Sequence, residues 1–287
     1  MVGFPDRAPA PETDAPDASS LDGEPGLDAP AERHDVAGDT SADAGVDAAD
    51  AAPDVVSDAR VDTPPDAPAD ALPDAPLRCS TLGYTPTFCD DFDEHAAATY
   101  DWDTPARLSA GSTVVLDGAG AISPPSAMLA TVPVGATGFA SLVRTVTPQP
   151  KSRFHLRFWV RIDAIEAADG ALFELALGGT ALRCIVAADH AKLEEEWSGS
   201  TTPHPMPIYP EKGAWSYVDV LLTLGPPVHV TLRLGPSPGA LATAVDDDLT
   251  HLVAGATTLD LGIVYATTPT VPWQLRFDDV RYDVDGP

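Results

Sequence analysis

The chain has 287 residues and carries 44 acidic against 16 basic side chains, a net charge of −28 at pH 7. This acidic balance argues against nucleic acid as a partner, because binding to phosphates needs a basic surface, and against adsorption to anionic lipid. The sequence has no apolar run of about 18 residues, so we expect no membrane-spanning helix.

The chain begins with an acidic segment over residues 1–77 that we predict to be a disordered tether. It contains 12 prolines, 19 acidic residues and one aromatic residue, Phe4. Such a segment cannot bury enough apolar surface to offset its chain entropy. Aspartates recur every fourth residue from Asp35 to Asp47 and from Asp54 to Asp74. Interspersed prolines oppose a helix, so we interpret the repeat as a self-repelling spacer, with a weak cation-binding tract as the alternative.

A folded domain is predicted over residues 78–287, where short alternating runs begin. The clearest strand is 154–162, whose apolar side chains fall on every second position from Phe154 to Ile162. Its other face carries His155, Arg157, Trp159 and Arg161. The remaining predicted strands are 113–117, 126–132, 139–146, 171–177, 181–187, 191–197, 215–224, 228–234, 259–266 and 273–284. We expect at most one or two helical turns, near 241–253. The pattern predicts an all-β fold, a two-sheet antiparallel β-sandwich or jelly roll.

The two ends of this domain carry related motifs. It opens with Phe88-Cys89-Asp90-Asp91-Phe92-Asp93-Glu94 and closes with Trp273-Gln274-Leu275-Arg276-Phe277-Asp278-Asp279-Val280-Arg281-Tyr282, with Gly213-Ala214-Trp215 between them. The pattern resembles the concanavalin A-like lectin/glucanase superfamily, and more closely the LamG-like jelly-roll domains of bacterial exported proteins. The resemblance implies that the first and last strands are neighbours. It also implies that an export signal lies upstream of Met1.

The paired aspartates of these two ends are candidate calcium ligands. If the terminal strands pair, Asp90, Asp91, Asp278 and Asp279 would supply hard oxygen ligands for a structural calcium ion. Strand alternation directs only one aspartate of each pair toward an ion, so backbone carbonyls and water would complete the shell. The alternative is that these aspartates cap strand ends and accept backbone N–H bonds.

The polar face of strand 154–162 is the candidate ligand face. Sugars bind to flat aromatic rings flanked by planar polar groups, and arginine pairs bidentately with carboxylate or sulfate. The candidate ligand-binding residues are His155, Arg157, Trp159, Arg161, Glu174, Tyr217 and Asp219. The alternative is a solvated or inter-sheet face whose arginines pair with acids such as Asp219 or Glu174.

Catalytic signatures are weak. Glycoside hydrolysis needs two carboxylates across a groove, and the related β-glucanases place them in a Glu-x-Asp-x-Glu strand. Here Glu174 stands alone. Glu194 and Glu196 share a face without the intervening aspartate, and we interpret them as a solvated edge. A polysaccharide lyase would instead use groups such as His155, Arg157 and Tyr217.

Three cysteines occur, without the spacing of a zinc site. We predict a Cys79–Cys89 disulfide at the start of the domain, with Cys89–Cys184 as the alternative pairing. Cys184 alternates with the apolar Leu182 and Val186, so we expect it to be a buried free thiol.

These features predict a non-catalytic, exported carbohydrate-binding or adhesion module, extracellular or at the cell surface. Its partner would be a polysaccharide or surface glycan, with an anionic glycan as one option. A glycoside hydrolase or polysaccharide lyase of the same fold is one alternative. A structural domain of an envelope assembly is the other.

Overall fold

The computed structural model describes residues 79–135, 137–146, 153–166, 168–253, 255 and 257–285. The predicted tether over 1–77, its aspartate repeat and the domain boundary after residue 77 lie outside the described residues.

Fifteen strands make up most of the described chain. They are β1 Phe88–Asp90, β2 Asp103–Leu108, β3 Thr113–Asp117, β4 Ala127–Val132, β5 Gly138–Val146, β6 Arg153–Ala164, β7 Gly170–Leu177, β8 Thr180–Val186, β9 Ala191–Trp197, β10 Ser200–Met206, β11 Trp215–Thr223, β12 Val228–Gly235, β13 Ala242–Leu249, β14 Thr257–Ala266 and β15 Trp273–Val284. The described residues contain one 3-10 turn, Cys79–Thr81, and no α-helix. They include no helix with the length and apolar character needed to cross a membrane.

The strands form two antiparallel sheets. Sheet I has the order β13-β12-β11-β6-β15-β4-β3, and β1 pairs with the C-terminal half of β15. Sheet II has the order β10-β9-β8-β7-β14-β5-β2. This confirms the predicted all-β, two-sheet antiparallel sandwich. It also confirms that the first and last strands are neighbours, with Asp90 opposite Val280.

One apolar core lies between the sheets. The ring of Phe158 in sheet I lies 6.0 Å from that of Phe173 in sheet II and 5.9 Å from that of Phe277 on β15, measured between centroids. All three side chains are fully buried. Burying a side chain of this size contributes on the order of 1.5–3 kcal/mol, so alternation along β6 is enough to fix which face of that strand meets the core.

All eleven predicted strands are present, with bounds within two residues of the expected ones. The helical turns expected near 241–253 are wrong, because residues Ala242–Leu249 form β13. β2, β10 and β13 were not predicted, and each lies at the edge of its sheet. Edge strands tolerate proline and charge, which blur the alternation that marks central strands. The three-residue β1 was too short to show a period.

Candidate functional site

Six of the seven predicted ligand residues share the face of sheet I that points away from the core. Trp159 is paired in register with Tyr217, Arg157 with Asp219, and Arg161 with Trp215. His155 lies on the same face of β6. The predicted seventh residue, Glu174, does not join them, because β7 belongs to sheet II.

Four of these six residues, His155, Trp159, Tyr217 and Asp219, are buried on sheet I. Trp159 and Tyr217 are 4% and 3% exposed, and their rings meet edge to face at 5.2 Å. Asp219 accepts a hydrogen bond from Arg233 Nη2 at 3.1 Å and lies 3.2 Å from His155 Nε2. Despite the cost of burying it, these basic neighbours lower the pKa of Asp219. The face is not between the sheets, but Asp219 does pair with an arginine of a neighbouring strand, as the alternative expected.

Residues 79–87, which we call the strap, cover part of this face. The Tyr84 hydroxyl donates to Asp283 Oδ2 at 3.0 Å and accepts from Arg157 Nη2 at 2.6 Å. Arg157 Nη2 also pairs with Asp283. The strap is fixed at one end by the Cys79–Cys89 disulfide, with the Cα atoms 5.7 Å apart. The predicted pairing is thereby confirmed.

The outward face of sheet II presents a more accessible arrangement, which we call the open face. Two rows of side chains cross neighbouring strands in register. The first row is Lys192, Ile185, Ala171 and Tyr265. The second row is Glu194, Arg183, Glu174 and Asp260.

Tyr265 packs over a small apolar patch on this face. Ala171, Ile185 and Val264 form a cluster separate from the main core, and Tyr265 lies against it partly exposed. Burial raises the pKa of the Tyr265 hydroxyl to about 12, and the charges of Glu194 and Asp169 act in the same direction. The phenol is therefore a protonated hydrogen-bonding group at neutral pH and is no proton acceptor.

Charged side chains beside this patch are held by ion pairs. Arg183 Nε donates to Glu174 Oε2 at 2.5 Å and its Nη1 pairs with Glu196. Lys192 Nζ lies 3.0 Å from Asp169 and 2.9 Å from Glu194. The side chains in these ion pairs are 13% to 36% exposed. The ion pairs therefore fix their orientation while solvent can still reach them.

Sequence reasoning found Glu174 and Glu194 but not the face they build. The available signal was a single charged residue within each of two successive apolar strands, Glu174 in β7 and Arg183 in β8, followed by the alternating charges of β9. No such signal marked Tyr265. A register shift between Leu261 and Tyr265 interrupts the period of β14.

The paired aspartates do not act as a single set of ligands. Asp90 accepts from the Phe92 amide at 2.8 Å and from Trp102 Nε1 at 2.6 Å. Asp278 accepts from the amides of Ile122 and Ser123, each at 3.1 Å. These two residues fulfil the capping alternative.

Asp279 differs, because its buried Oδ2 has no hydrogen-bond partner among the described residues. Burial, together with the nearby charge of Asp91, raises the pKa of Asp279 to about 7. Within the described ranges, no three His, Cys, Asp or Glu side chains are grouped so as to hold a metal ion. Asp91, whose charge acts on Asp279, accepts from the amides of Cys79 and Asp93 at 3.2 and 3.3 Å.

The third cysteine, Cys184, is buried and free, as predicted. Burial raises the pKa of its thiol to about 12, so the thiol stays protonated at neutral pH and is a poor nucleophile.

No protein-family model matches the sequence, and no curated protein matches it. Among solved structures, an endo-β-1,4-glucuronan lyase from the fungus Trichoderma reesei is similar, with a TM-score of 0.54 at 12% identity over 69% of this chain and 95% of that chain. The cellulose-induced protein Cip1 has a TM-score of 0.48 at 19% identity, over 68% of this chain and 96% of that chain. Alginate lyase Aly36B gives 0.47 at 11% identity, over 68% and 96%. The likeness to the glucuronan lyase shows a shared β-sandwich fold of the concanavalin A-like type.

Proposed function

We propose that this domain is a non-catalytic, extracellular carbohydrate-binding module that holds a neutral polysaccharide on the open face of sheet II. The observation that carries the proposal is the placement of Tyr265 over an apolar patch beside ion-paired, partly exposed planar groups. A sugar ring stacks its C–H face on an aromatic ring and gives its hydroxyls to such groups.

The charge of the open face favours a neutral glycan over an anionic one. Its carboxylates outnumber its basic groups and include Asp169, Glu174, Glu194, Glu196 and Asp260. The basic groups are Arg107, Arg183 and Lys192. An anionic polymer would meet net repulsion there, whereas hydroxyl groups can both donate to carboxylates and accept from arginine or lysine.

Binding suits this face better than chemistry does. Hydrolysis needs a protonated acid and a second carboxylate, whereas Glu174 and Glu194 are both engaged in ion pairs. Elimination needs a base, and Tyr265 keeps its proton to about pH 12. The glucuronan lyase, a β-sandwich of this fold, is named for its action on a polysaccharide, which supports a carbohydrate ligand. The Cys79–Cys89 disulfide supports an oxidising, extracellular location.

Pull-downs on insoluble glycans test the proposal. The wild-type domain should bind at least one of cellulose, β-1,3-glucan or xylan, and Tyr265→Ala should lose most of that binding. Tyr100→Ala is the control, because Tyr100 is 67% exposed and stacks on His95, away from the open face. Release of soluble or unsaturated sugars would instead favour the hydrolase or lyase. Binding to no glycan, with a cross-linked protein partner, would favour the envelope assembly.

We also propose that Asp279 and Asp91 hold a structural calcium ion. The buried Oδ2 of Asp279 without a hydrogen-bond partner supports this, because calcium takes carboxylate oxygens and fills its shell with carbonyls and water. Asp91 is proposed as the second ligand because its charge acts on Asp279 and because the bonds it accepts from the Cys79 and Asp93 amides, at 3.2 and 3.3 Å, are longer than those that Asp90 and Asp278 accept. The ion would contribute stability at the junction of β1 and β15.

A further inference from the structure

We propose that the outward face of sheet I is a second binding site, specific for a carboxylate or sulfate group, and that the strap is its removable cover. This site shares no residue with the open face, so the two proposals stand or fall separately.

Arginines line up across four strands of sheet I. In register, Arg233 of β12 lies beside Asp219 of β11, Asp219 beside Arg157 of β6, and Arg157 beside Arg281 of β15. Neighbouring strands are about 4.8 Å apart, so three guanidinium groups lie within about 15 Å. We call this line the basic row. Among the described residues, Asp283 pairs with Arg157 and Asp219 with Arg233, and Asp279 lies close enough to Arg281 for the two charges to interact.

The basic row has more buried donors than acceptors. The Nε atoms of Arg157, Arg233 and Arg281 are buried and have no hydrogen-bond partner among the described residues. Both ring nitrogens of His155, at least one of which is a donor, are likewise buried without a hydrogen-bond partner among the described residues, although Nε2 lies 3.2 Å from Asp219. His155 and Arg281 are 7% and 6% exposed. Unmet buried donors on one face call for an acceptor that the described residues do not supply.

The chemistry of these donors selects a planar or tetrahedral oxyanion. Guanidinium groups bind carboxylate and sulfate through parallel N–H···O bonds, and these bonds are strong when charge-assisted. A neutral hydroxyl would satisfy single donors but would not form the paired, charge-assisted bonds that a guanidinium group makes with an oxyanion. The ligand expected at this site is therefore a carboxylate or sulfate group on a sugar chain, or the corresponding free ion.

The strap occupies the place that such a ligand would take. The Tyr84 hydroxyl accepts from Arg157 and donates to Asp283, and its ring lies 6.0 Å from the Arg157 guanidinium carbon. The Val284 amide donates to Thr87 Oγ1 at 3.1 Å, which fixes the other end of the strap. A bulky acidic ligand must displace Tyr84 to reach the row, so weakening the strap should strengthen binding.

Titration calorimetry with three probes tests this site: inorganic sulfate, dextran sulfate oligosaccharides and neutral dextran. Tyr84→Ala should bind dextran sulfate at least about tenfold more tightly than the wild type, because a ligand then displaces no charge-assisted hydrogen bond. Adding Arg233→Gln should reverse the gain by about tenfold, whereas adding Lys212→Gln, a change to an exposed lysine outside the row, should leave it intact. Equal gains for sulfate and dextran sulfate would identify the free ion as sufficient.

Circular dichroism must show that Tyr84→Ala remains folded. If it does not, the Cys79→Ser/Cys89→Ser double variant frees the strap at its other end and takes its place. A folded, strap-weakened protein that binds dextran sulfate no more tightly than the wild type would overturn the proposal. So would a gain that Arg233→Gln leaves unchanged, or an equal gain in the affinity for neutral dextran when the strap is weakened. Binding of neutral glucan by the open face should be the same in all these variants.

Discussion

The indole ring of Trp273 lies against the backbone of Gly170, so the first residue of β15 in sheet I touches the first residue of β7 in sheet II. A Cβ placed on Gly170 would come within 2.3 Å of two carbons of that ring and 2.8 Å of the Tyr265 carbonyl oxygen. The contact therefore joins the two sheets directly beneath the strand that carries Tyr265.

Replacing this glycine tests the packing between the sheets. We expect Gly170→Ala to lower the free energy of unfolding by about 1–3 kcal/mol, because the added methyl group must push Trp273 or the backbone aside. Urea denaturation measures the loss. Gly225→Ala is the matched control, since its Cβ would meet only the Pro227 carbonyl at an ordinary 3.7 Å. Equal stability of the two variants would show that Trp273 does not pack on Gly170.

Thiol labelling tests the cysteine assignments. The native, oxidised domain should react with no equivalent of a thiol reagent, because Cys184 is buried with its pKa raised to about 12 and the other two cysteines are bonded. Reduction of the disulfide without unfolding should make two thiols reactive, those of Cys79 and Cys89. Labelling of Cys184 in the native protein would contradict its burial.

The edge formed by β12 and β13 should respond to pH. Hydrogen bonds to Asp248 and Asp246 raise the pKa of His229 above its ordinary 6.5. A raised folded-state pKa means that the charged pairing stabilises fully below pH 6.5 and is lost as pH rises through the folded value. We expect the wild-type Tm to fall between about pH 6 and 8 by roughly 1–2 °C more than that of His229→Asn, because solvent screens these exposed groups.

Salt provides the control for that edge. At about 1 M salt the difference in Tm between the wild type and His229→Asn should shrink. The Debye length then falls to about 3 Å, which weakens the attraction between exposed charges. A difference that is unaffected by salt would point to a packing effect of the substitution.

Calcium should raise the Tm of the wild-type domain. A hundredfold excess over Kd stabilises by about 2.7 kcal/mol, or roughly 5–10 °C for a domain of this size. Asp279→Asn should abolish the response, whereas Asp246→Asn, at an exposed acid on β13, should keep it. No shift in the wild type, or an equal shift in Asp279→Asn, would contradict the assignment.

The sequence predicted the central strands and the edge strand β3, but not the other three edge strands, β2, β10 and β13. Strands such as β6 face the core on one side, so burial imposes a period of two that a reader of the sequence can see. β10 contains Pro203 and Pro205, and β13 contains a run of three aspartates, Asp246 to Asp248. Each of these two strands pairs on one side only, β10 with β9 and β13 with β12. That pairing overrides the weak strand propensity of their own sequences.

The candidate sites were less predictable than the fold. Alternation along β6 and β11 placed six ligand candidates on one face, but it could not show that Tyr84 covers part of that face. Glu174 was grouped with the wrong residues because sheet membership is fixed by long-range strand order. The open face depends on the alignment of β14, β7, β8 and β9, and the irregular register of β14 hides Tyr265 from any period.

The most direct test of the central claim is affinity electrophoresis through gels that contain a soluble neutral glucan. The account predicts that the glucan retards the wild type, that Tyr265→Phe is retarded nearly as much because it keeps the stacking ring, and that Tyr265→Ala runs as if no glucan were present. Retardation of Tyr265→Ala equal to that of the wild type would contradict the assignment of the open face as the glycan site.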